Sequence, residues 1–433
     1  MWFFTRFLKN ERLHEAPPGE RYLLRSWVTA DCLDGEGRYK DRNFGVLPNY
    51  LREQGKDVWI LPMFFNLNQR EILSYMKALS VSGQKFLFQD QYLTIPDIIK
   101  TLMDGVKTVY LDLKGLEFDG RNMTGFFKSL NQSTSLSPAL LSLNSVKYLI
   151  KKFSEKGIGI DRFVYPFENN PAEKTFLRAV RRYYPGSKII GFQHTVWYKE
   201  QLGMYLHPLE TGCHPLPDQI VCGGRRYPEI LEMAGFPAQI LCPGPNLRYT
   251  AVNRAFKPET FHESGQRSVL IILNFDFNKT MELLEKVGAA LQTFKNVKIY
   301  IKAHSMSRMK ELKEFLLNIR FPKYEWASGT VQQWLARVHA VFMTGGSVSN
   351  LETIVTGIPL LRVSLGSNFD FDPLWDEYPF SPLLSEPEEI ADYLDKAFRM
   401  NLSARMKLLE FGRQIANSYF EPVTAETIKV FLN

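Results

Sequence analysis

The sequence predicts an α/β protein with two domains, each built on a doubly wound parallel sheet. The chain has 433 residues, enough for two full-sized cores, and 45% of them are hydrophobic, as in ordinary globular proteins. Short apolar runs typical of buried strands alternate with helical patterns in both halves. A polar stretch without periodicity, residues 251–267, predicts the linker. The domains are therefore expected at 1–255 and 256–400, with helices over 401–433 that can pack back on the first domain.

The net charge limits which partners are expected, and the cysteine spacing limits which metal or disulfide sites are expected. A net charge of +7 favours an anionic partner such as a nucleotide, an acidic glycan or an anionic lipid surface. The basic residues are scattered and no nucleic-acid-binding signature is present, so nucleic acid is not an expected partner. The four cysteines form no CxxC pair, which indicates neither a zinc site nor a disulfide framework.

The sequence carries no clear signal for secretion or membrane insertion. No apolar stretch approaches the roughly 18 residues that a spanning helix requires. The start, MWFFTRFLKN, is interrupted by Arg6 and is not followed by a small-residue cleavage site. We therefore expect a cytoplasmic protein, and a peripheral contact with the inner membrane face stays open.

The first domain opens with a β-α-β unit. Strands are predicted at 22–28 and 57–65 around a helix at 45–54. Parallel sheets bind ligands beyond the carboxyl ends of their strands, so the charged loop that contains Asp41 is expected at the site. A solvated loop is the alternative. Helical patterns follow at 70–80, 95–103, 125–130 and 145–156.

A carboxylate of the first domain is the main candidate for a catalytic group. A predicted strand at 162–165 leads to the polar turn 168–170, which precedes a helix with proline at its first position. At the carboxyl end of a strand, Glu168 can act as general base on an acceptor hydroxyl, with Asn169 beside it as a substrate contact. The alternative is that Glu168 caps the helix. Asp41 is the second candidate for the carboxylate role.

The next predicted strand, 188–192, ends in Gln193 and His194. Their side chains can hydrogen-bond sugar or phosphate oxygens. A satisfied structural histidine is the alternative for His194. Because two neighbouring strand ends carry polar groups, we favour an active site at this edge of the sheet.

Strands and helices alternate again in the second domain. Asn274 follows its first apolar run, and Lys302, His304 and Ser305 follow the next. Each of these strand ends is a candidate contact for a phosphate or a nucleotide. The remaining strands are predicted at 324–326, 340–343 and 358–363, and closing helices at 388–398 and 403–419.

The strand predicted at 340–343 breaks into a glycine-rich turn. Gly345 and Gly346 permit a tight turn and close approach of the backbone to a ligand. Ser347 or Ser349 can cap the following helix, whose free N–H groups and dipole favour a phosphate. Glu352, one turn further, can accept hydrogen bonds from ribose hydroxyls.

Other nucleotide signatures are missing or weak. The dinucleotide fingerprint GxGxxG and the Walker pattern GxxxxGK[ST] are absent, which argues against a dehydrogenase or a P-loop NTPase. Residues 370–372 form a DxD string, but a polar loop explains it here, so no metal is assigned.

Two motifs of the second domain resemble those of a known group of enzymes. Two Rossmann-like domains facing a cleft indicate the GT-B architecture of nucleotide-sugar enzymes. KAHS at 302–305 resembles the KxHP turn, and TGGSVSNLE at 344–352 resembles the serine-containing motif, of bacterial surface-polysaccharide transferases that use CMP-activated acidic sugars. These include polysialyltransferases, Kdo transferases of capsule assembly and pseudaminic acid transferases. Teichoic-acid glycerophosphotransferases, which use CDP-glycerol, share similar motifs.

The first domain resembles proteins labelled surface carbohydrate biosynthesis, through FENN, GFQH, GRYKDRNFG and LREQGKDVWIL. The resemblance to the transferases implies that His304, Ser347 and Ser349 bind the phosphate of a cytidine nucleotide. Ser305 stands where those families have proline. The complete expected donor site is Asn274, Lys302, His304, Ser305, Gly345, Gly346, Ser347, Ser349 and Glu352.

The function implied is a metal-independent glycosyltransferase without a cofactor. It would move a nine- or eight-carbon acidic sugar, of the sialic, pseudaminic or Kdo type, from CMP to a surface glycan or lipid-linked acceptor in capsule or lipopolysaccharide synthesis. Glu168 would be the base of an inverting enzyme, or would stabilise or trap the oxocarbenium-like centre of a retaining one. The rivals are a CDP-glycerol-type transferase, a nucleotide-sugar epimerase or hydrolase, and a non-catalytic assembly component.

Overall fold

The computed structural model describes residues 20–198, 200–208, 210–213, 215–249, 266–304, 307–345, 348–366, 372–374, 378–380 and 382–433. Within these ranges the chain forms two five- or six-stranded parallel sheets, one in each half, together with a short antiparallel hairpin. The predicted fold class, α/β with two doubly wound domains, is confirmed.

The first half contains eight strands and eight helices among the described residues. The strands are β1 (Arg21–Val28), β2 (Asp57–Phe64), β3 (Glu117–Phe118), β4 (Arg121–Asn122), β5 (Arg162–Pro166), β6 (Lys188–Gln193), β7 (Gln219–Cys222) and β8 (Leu241–Pro243). The helices are α1 (Leu47–Glu53), α2 (Gln69–Ser80), α3 (Ile95–Val109), α4 (Thr124–Thr134), α5 (Pro138–Glu155), α6 (Pro171–Tyr183), α7 (Glu210–Cys213) and α8 (Arg226–Met233).

The first sheet has the strand order β2-β1-β5-β6-β7-β8, and all neighbouring strands are parallel. Tyr22 and Leu24 of β1 belong to one buried apolar cluster and Leu23 to another, so both faces of the sheet are covered. From β1 the next strand, β2, is added on one side, whereas β5 and the strands after it are added on the other side. The loops that follow β1 and β5 therefore meet at a switch point, where ligands of such sheets bind.

The second half has the same construction. Its strands are β9 (Ser268–Ile272), β10 (Lys298–Lys302), β11 (Tyr324–Trp326), β12 (Ala340–Met343) and β13 (Leu360–Arg362). Its helices are α9 (Phe277–Leu291), α10 (Met309–Asn318), α11 (Val331–Leu335), α12 (Ser349–Val355), α13 (Pro387–Phe398) and α14 (Leu402–Tyr419). The strand order is β11-β10-β9-β12-β13, again all parallel, with the switch point between β9 and β12.

The C-terminal segment runs from the second half back to the first sheet. Helix α14 packs on α12 and α8, where the rings of Tyr419 and Tyr227 meet edge to face at 5.6 Å. A final 3₁₀ turn, Thr427–Phe431, joins the cluster under β1, and the Tyr22 hydroxyl donates to the Phe431 carbonyl at 3.1 Å. The limits 255 and 400 stay predictions, since residues 250–265, which hold most of the predicted linker, lie outside the described ones.

An excursion between α2 and β5 departs from the predicted helices. Helix α3 runs six residues beyond the predicted end, α5 begins at Pro138, and the unpredicted β3–β4 hairpin lies between α3 and α4. The hairpin turns at Asp119 and Gly120, both at positive φ, as two-residue hairpin turns require. Among the helices of the described residues, none is both long and apolar enough to cross a membrane.

Candidate functional site

A cleft of about 1030 Å³ opens between the two halves of the chain. Its walls combine the loop after β1 and the segment after β8 with the turn after β10 and the helices α11 and α12. Charged and aromatic side chains dominate the lining, which includes Asp31, Asp34, Arg38, Tyr39, Lys40, Asp41, Arg42, Thr195, Tyr198, Arg248, Tyr249, His304, Gln332, Ser349 and Glu352. The cleft thus joins the carboxyl edges of both sheets.

Asp41 lies in this cleft wall, but its carboxylate is already occupied. One oxygen accepts hydrogen bonds from the Ser26 hydroxyl at 3.0 Å and from the backbone N–H groups of Asn43 and Phe44 at 2.9 and 2.8 Å. The other accepts from the Tyr39 hydroxyl at 2.9 Å. Burial raises the pKa of Asp41. Because four donors bond to the Asp41 carboxylate, this side chain holds the loop after β1 against the sheet.

Glu168 follows β5, and its backbone is held by a buried carboxylate. Both oxygens of Glu173 accept the Glu168 N–H, at 2.9 and 3.1 Å. The cap of α6 is Asn170, whose side chain accepts from the Glu173 N–H. The interpretation of Glu168 as the cap is therefore wrong, and its side chain, 34% exposed, is free of that role.

Glu168 and His194 meet at the carboxyl ends of β5 and β6. The His194 Nε2 lies 3.4 Å from the Glu168 Oε1. Burial, reinforced by the charge of Arg248, lowers the pKa of His194 from 6.5 to about 3, so the imidazole is neutral at physiological pH. Burial raises the pKa of Glu168, which makes its carboxylate a stronger base. The His194 Nδ1 is buried and has no hydrogen-bond partner of good geometry among the described residues, while the Phe192 backbone carbonyl lies close enough to the ring to oppose the lowering of its pKa.

Two predicted substrate contacts have their amides engaged within the protein. Gln193 donates to the Thr195 carbonyl and accepts from the Gly223 N–H at 3.1 Å, which ties the ends of β6 and β7 together. Asn169, at positive φ, donates to the Gly203 carbonyl at 3.0 Å. Both side chains are buried. Their observed contacts hold the two polar turns in place.

Arg248 is the most strongly charged of the cleft residues that the sequence interpretation missed, which also include Tyr198, Tyr249 and Gln332. It follows β8, and its guanidinium lies 5.2 Å from the centre of the Tyr249 ring. No carboxylate among the described residues forms an ion pair with it. Its charge nevertheless acts against burial to lower the pKa of Glu168 and of Glu352, so it lies within electrostatic range of both halves. The one available signal in the sequence was the short apolar run at 240–241, which precedes it by a few residues.

Asn274 joins the two strand ends at the switch point of the second sheet. Its amide nitrogen donates to the Gly345 carbonyl at 3.1 Å, and its amide oxygen accepts from the Asp276 N–H at 3.0 Å. The Thr344 hydroxyl lies 3.4 Å from the same nitrogen. The amide therefore holds the loops after β9 and β12 together.

The KAHS turn contributes His304 to the cleft lining. Its side chain is exposed, yet partial desolvation and the charge of Arg42 both lower its pKa, so the neutral form is favoured. The His304 and Phe275 rings lie 6.2 Å apart. Lys302, the last residue of β10, is half-buried and is not part of the lining.

Ser349 and Glu352 place α12 in the cleft wall. Val348 occupies the cap position of this helix without a side-chain cap, so Ser349 is its first residue rather than its cap. Burial raises the pKa of Glu352, and the Gln332 amide donates to its carboxylate. The other predicted donor contacts, Ser305, Gly346 and Ser347, lie outside the described residues.

The described residues contain no group of three histidine, cysteine, aspartate or glutamate side chains arranged to hold a metal ion. Two members of the DxD string, at 370 and 371, lie outside them. The third, Asp372, is buried and paired with the Arg362 guanidinium at 2.5 Å. Its carboxylate is engaged in that pair.

Comparison with known proteins identifies the fold. No family model matches this chain, and no curated protein matches it. Solved structures do resemble it. A glycosyltransferase from Rickettsia africae superposes with a TM-score of 0.54 at 11% identity, covering 96% of this chain and 97% of that one.

Two further structures show the same likeness. UDP-GlcNAc 2-epimerase from Neisseria meningitidis, bound to UDP-GlcNAc, has a TM-score of 0.52 at 11% identity and covers 95% of this chain and 98% of its own. MurG from Acinetobacter baumannii has a TM-score of 0.50 at 11% identity, with coverages of 95% and 98%. The chain therefore has the GT-B fold, with two Rossmann-like domains.

Proposed function

We propose that this protein is a glycosyltransferase that takes its sugar from a nucleotide-sugar donor. The observation that carries the proposal is the cleft lined by Arg248 of the first half and by His304, Ser349 and Glu352 of the second. Glu168 and His194 are not among the lining residues; they lie at the ends of β5 and β6, next to the lining residue Thr195, and the charge of Arg248 acts on Glu168. Neighbours of the same fold include glycosyltransferases, and the epimerase neighbour holds UDP-GlcNAc.

In the proposed reaction, Glu168 takes the proton of the acceptor hydroxyl as the acceptor oxygen bonds to the anomeric carbon. The bond from that carbon to the nucleotide phosphate breaks, and the nucleotide leaves with the electron pair. The raised pKa of Glu168 increases its proton affinity, and neutral His194 beside it adds no opposing charge. In a retaining enzyme the same carboxylate would stabilise the oxocarbenium-like centre.

The donor proposed is a CMP-activated acidic sugar of the sialic, pseudaminic or Kdo type. The motif resemblance supports the cytidine nucleotide. The Arg248 guanidinium, without an ion pair among the described residues, supports a sugar that bears a carboxylate, because arginine binds carboxylates through two parallel hydrogen bonds. Arg42 is a second cation in the same wall, and its guanidinium lies 3.7 Å from the Asp31 carboxylate.

The acceptor proposed is a surface glycan or a lipid-linked glycan. The nucleotide-sugar is a substrate, so the proposal requires no resident cofactor.

His304, Ser349 and Glu352 are the described candidates for donor contacts. Asn274 supports this wall through its bond to Gly345.

A thermal-shift panel with CMP, CDP, UDP and GDP tests the donor. A ligand that binds the native state raises the melting temperature by mass action, so CMP should give the largest shift. Stabilisation by UDP alone would remove the CMP proposal. Stabilisation by CDP alone would favour the CDP-glycerol alternative.

Product analysis tests the reaction class and the role of Glu168. With a CMP-sugar, release of free sugar or an isomer at equal rates with and without acceptor would favour the hydrolase or epimerase alternative. Glu168→Gln should abolish transfer and leave CMP binding intact, because the amide cannot accept the proton. Glu232→Gln, at an exposed position of α8, is the matched control and should keep full activity. Full activity in Glu168→Gln would exclude Glu168 from the chemistry.

A further inference from the structure

The largest concentration of exposed apolar side chains lies in one segment, residues 95–136, far along the chain from every candidate catalytic residue. On α3 the exposed apolar residues recur at helical spacing and form one stripe, which we call the α3 stripe: Ile95, Ile98, Ile99, Leu102, Met103 and Val106. Beyond the helix, the hairpin and α4 extend the exposed apolar surface with Phe118, Phe126 and Leu130. Large apolar patches exposed on a monomeric protein commonly mark a binding surface, and this segment exposes more large apolar side chains than any other described part of the chain.

The orientation of α3 is fixed by polar contacts on its inner face. Its buried residues are Asp97, Thr101 and Gly105, the reverse of an ordinary amphipathic helix. Asp97 pairs with Lys152 of α5 at 3.0 Å, and Asp104 pairs with Lys147 at 2.5 Å. These pairs hold the polar face inward, so the α3 stripe faces solvent in the folded protein.

Gly105 reinforces this orientation. A Cβ at that position would lie 3.0 Å from the Leu136 and Leu141 side chains and from the Ser135 carbonyl. The helix therefore approaches its neighbours on the small, polar side. Turning the stripe inward would crowd α5 and break both ion pairs.

The charges around the stripe are mainly basic. Two aspartates of residues 95–136, Asp97 and Asp104, are paired with lysines of α5. The other charged residues of this segment are all exposed, and five of them are basic and three are acidic. Lys100 and Lys107 on α3 and Lys128 on α4 form no ion pair with any described residue. Lysine side chains are long enough to keep the ammonium group at a polar boundary while the neighbouring apolar groups are buried.

We infer that the α3 stripe and its flanking lysines dock this protein on the surface of an anionic lipid bilayer. A helix with one apolar face and flanking lysines lies in the plane of such an interface, with the apolar side chains in the acyl region and the ammonium groups among the headgroups. A two-fold contact between copies would instead place the lysines of one stripe against those of the other. The inference does not depend on the proposed reaction.

Vesicle flotation of the full-length protein tests the inference. The probes are vesicles of phosphatidylcholine alone and of phosphatidylcholine mixed with phosphatidylglycerol. We expect flotation with the mixed vesicles and little with the neutral ones. Absence of flotation with the mixed vesicles, or equal flotation with both, would overturn the inference.

Two sets of variants separate the apolar and the charged contributions. Ile99→Glu with Met103→Glu should weaken binding to mixed vesicles by roughly 100-fold, since each large apolar side chain contributes about a factor of ten. The matched control, Leu317→Glu with Leu402→Glu, changes exposed leucines on α10 and α14 and should bind as wild type does. Equal binding by the two double variants would contradict the inference.

The lysines are tested in the same assay. Replacing Lys100, Lys107 and Lys128 by glutamine should weaken binding to mixed vesicles by roughly 100-fold, since each contributes about a factor of five near an anionic surface. Replacing Lys310, Lys313 and Lys407, which are exposed on α10 and α14, removes the same charge and should have little effect. Equal loss in both triple variants would show a general charge effect and overturn the inference.

Light scattering after size-exclusion chromatography tests whether a second copy of the chain, instead of a lipid bilayer, binds the α3 stripe. All variants should keep the mass and the melting temperature of the wild type, because every changed side chain is exposed. A wild-type dimer that Ile99→Glu with Met103→Glu converts to a monomer, without vesicle binding, would assign the stripe to a second copy of the chain and overturn the lipid inference.

Discussion

The buried, neutral His194 makes a specific prediction about stability and pH. Its pKa is lowered from 6.5 to about 3 in the folded protein, chiefly by burial. Between these values the unfolded chain binds a proton at this position and the folded chain does not. The contribution of His194 to stability is therefore complete above the unfolded pKa and is lost as the pH falls toward the folded one.

The size of the effect follows from the two pKa values. From about pH 8 to about pH 5, proton binding to the unfolded chain at this one position should reduce the free energy of unfolding by about 2 kcal/mol. In His194→Gln the replacement has no titration in this range, so that part of the pH dependence should disappear. The variant is expected to be less stable near neutral pH, because it disturbs a buried, packed position.

The assay is urea unfolding, followed by tryptophan fluorescence, across this pH range. The quantity of interest is the difference between wild type and variant at each pH, in which shared groups cancel. That difference should shrink by about 2 kcal/mol from about pH 8 to about pH 5. His207→Gln, which changes an exposed histidine, is the control and should keep the wild-type slope. If His194→Gln also keeps the wild-type slope, His194 titrates normally and the proposed neutral partner of Glu168 is refuted.

Two other substitutions test the packing and the donor site. Gly412→Ala should destabilise the protein by about 1–3 kcal/mol in urea unfolding, because the new Cβ would lie 2.3 Å from the Ile354 carbonyl where α14 crosses α12. Gly125→Ala, at an open position of α4, is its control and should be neutral or stabilising. Arg248→Gln should weaken binding of a CMP-activated acidic sugar by about 10- to 100-fold and leave CMP itself nearly unaffected, measured by calorimetry. An equal loss for both ligands would show that Arg248 contacts the nucleotide and not the sugar carboxylate.

Strands with a continuous apolar run were predictable at the level of single residues. β12 begins and ends where its sequence pattern predicts, because a strand buried on both faces needs an unbroken apolar run. The bounds of β11 also match the prediction, although its middle residue, Glu325, is exposed. The β3–β4 hairpin was not predictable in this way. Each of its strands has two exposed residues, so no apolar alternation marks them, and the turn at Asp119 and Gly120 was the only local signal.

The candidate site was only partly predictable. Strand-end position placed Glu168 and His194 at neighbouring strands, and the structure brings them to 3.4 Å. The same rule also selected Gln193 and Asn274, whose amides instead tie adjacent strand ends together. Position at a strand end is visible in sequence. Whether a side chain bonds to a neighbouring loop or faces a cleft depends on partners far along the chain.

The sequence by itself determined the two parallel sheets and the carboxyl edges at which a ligand can bind. Apolar runs and helical periodicity are local properties, and parallel sheets have one functional edge. Tertiary structure decided which groups face each other there. Arg248 lies within electrostatic range of both Glu168 and Glu352, from segments separated by at least 80 residues. It also decided that the apolar side of α3 faces outward, because ion pairs to Lys147 and Lys152 stabilise the opposite orientation from the one that periodicity alone would favour.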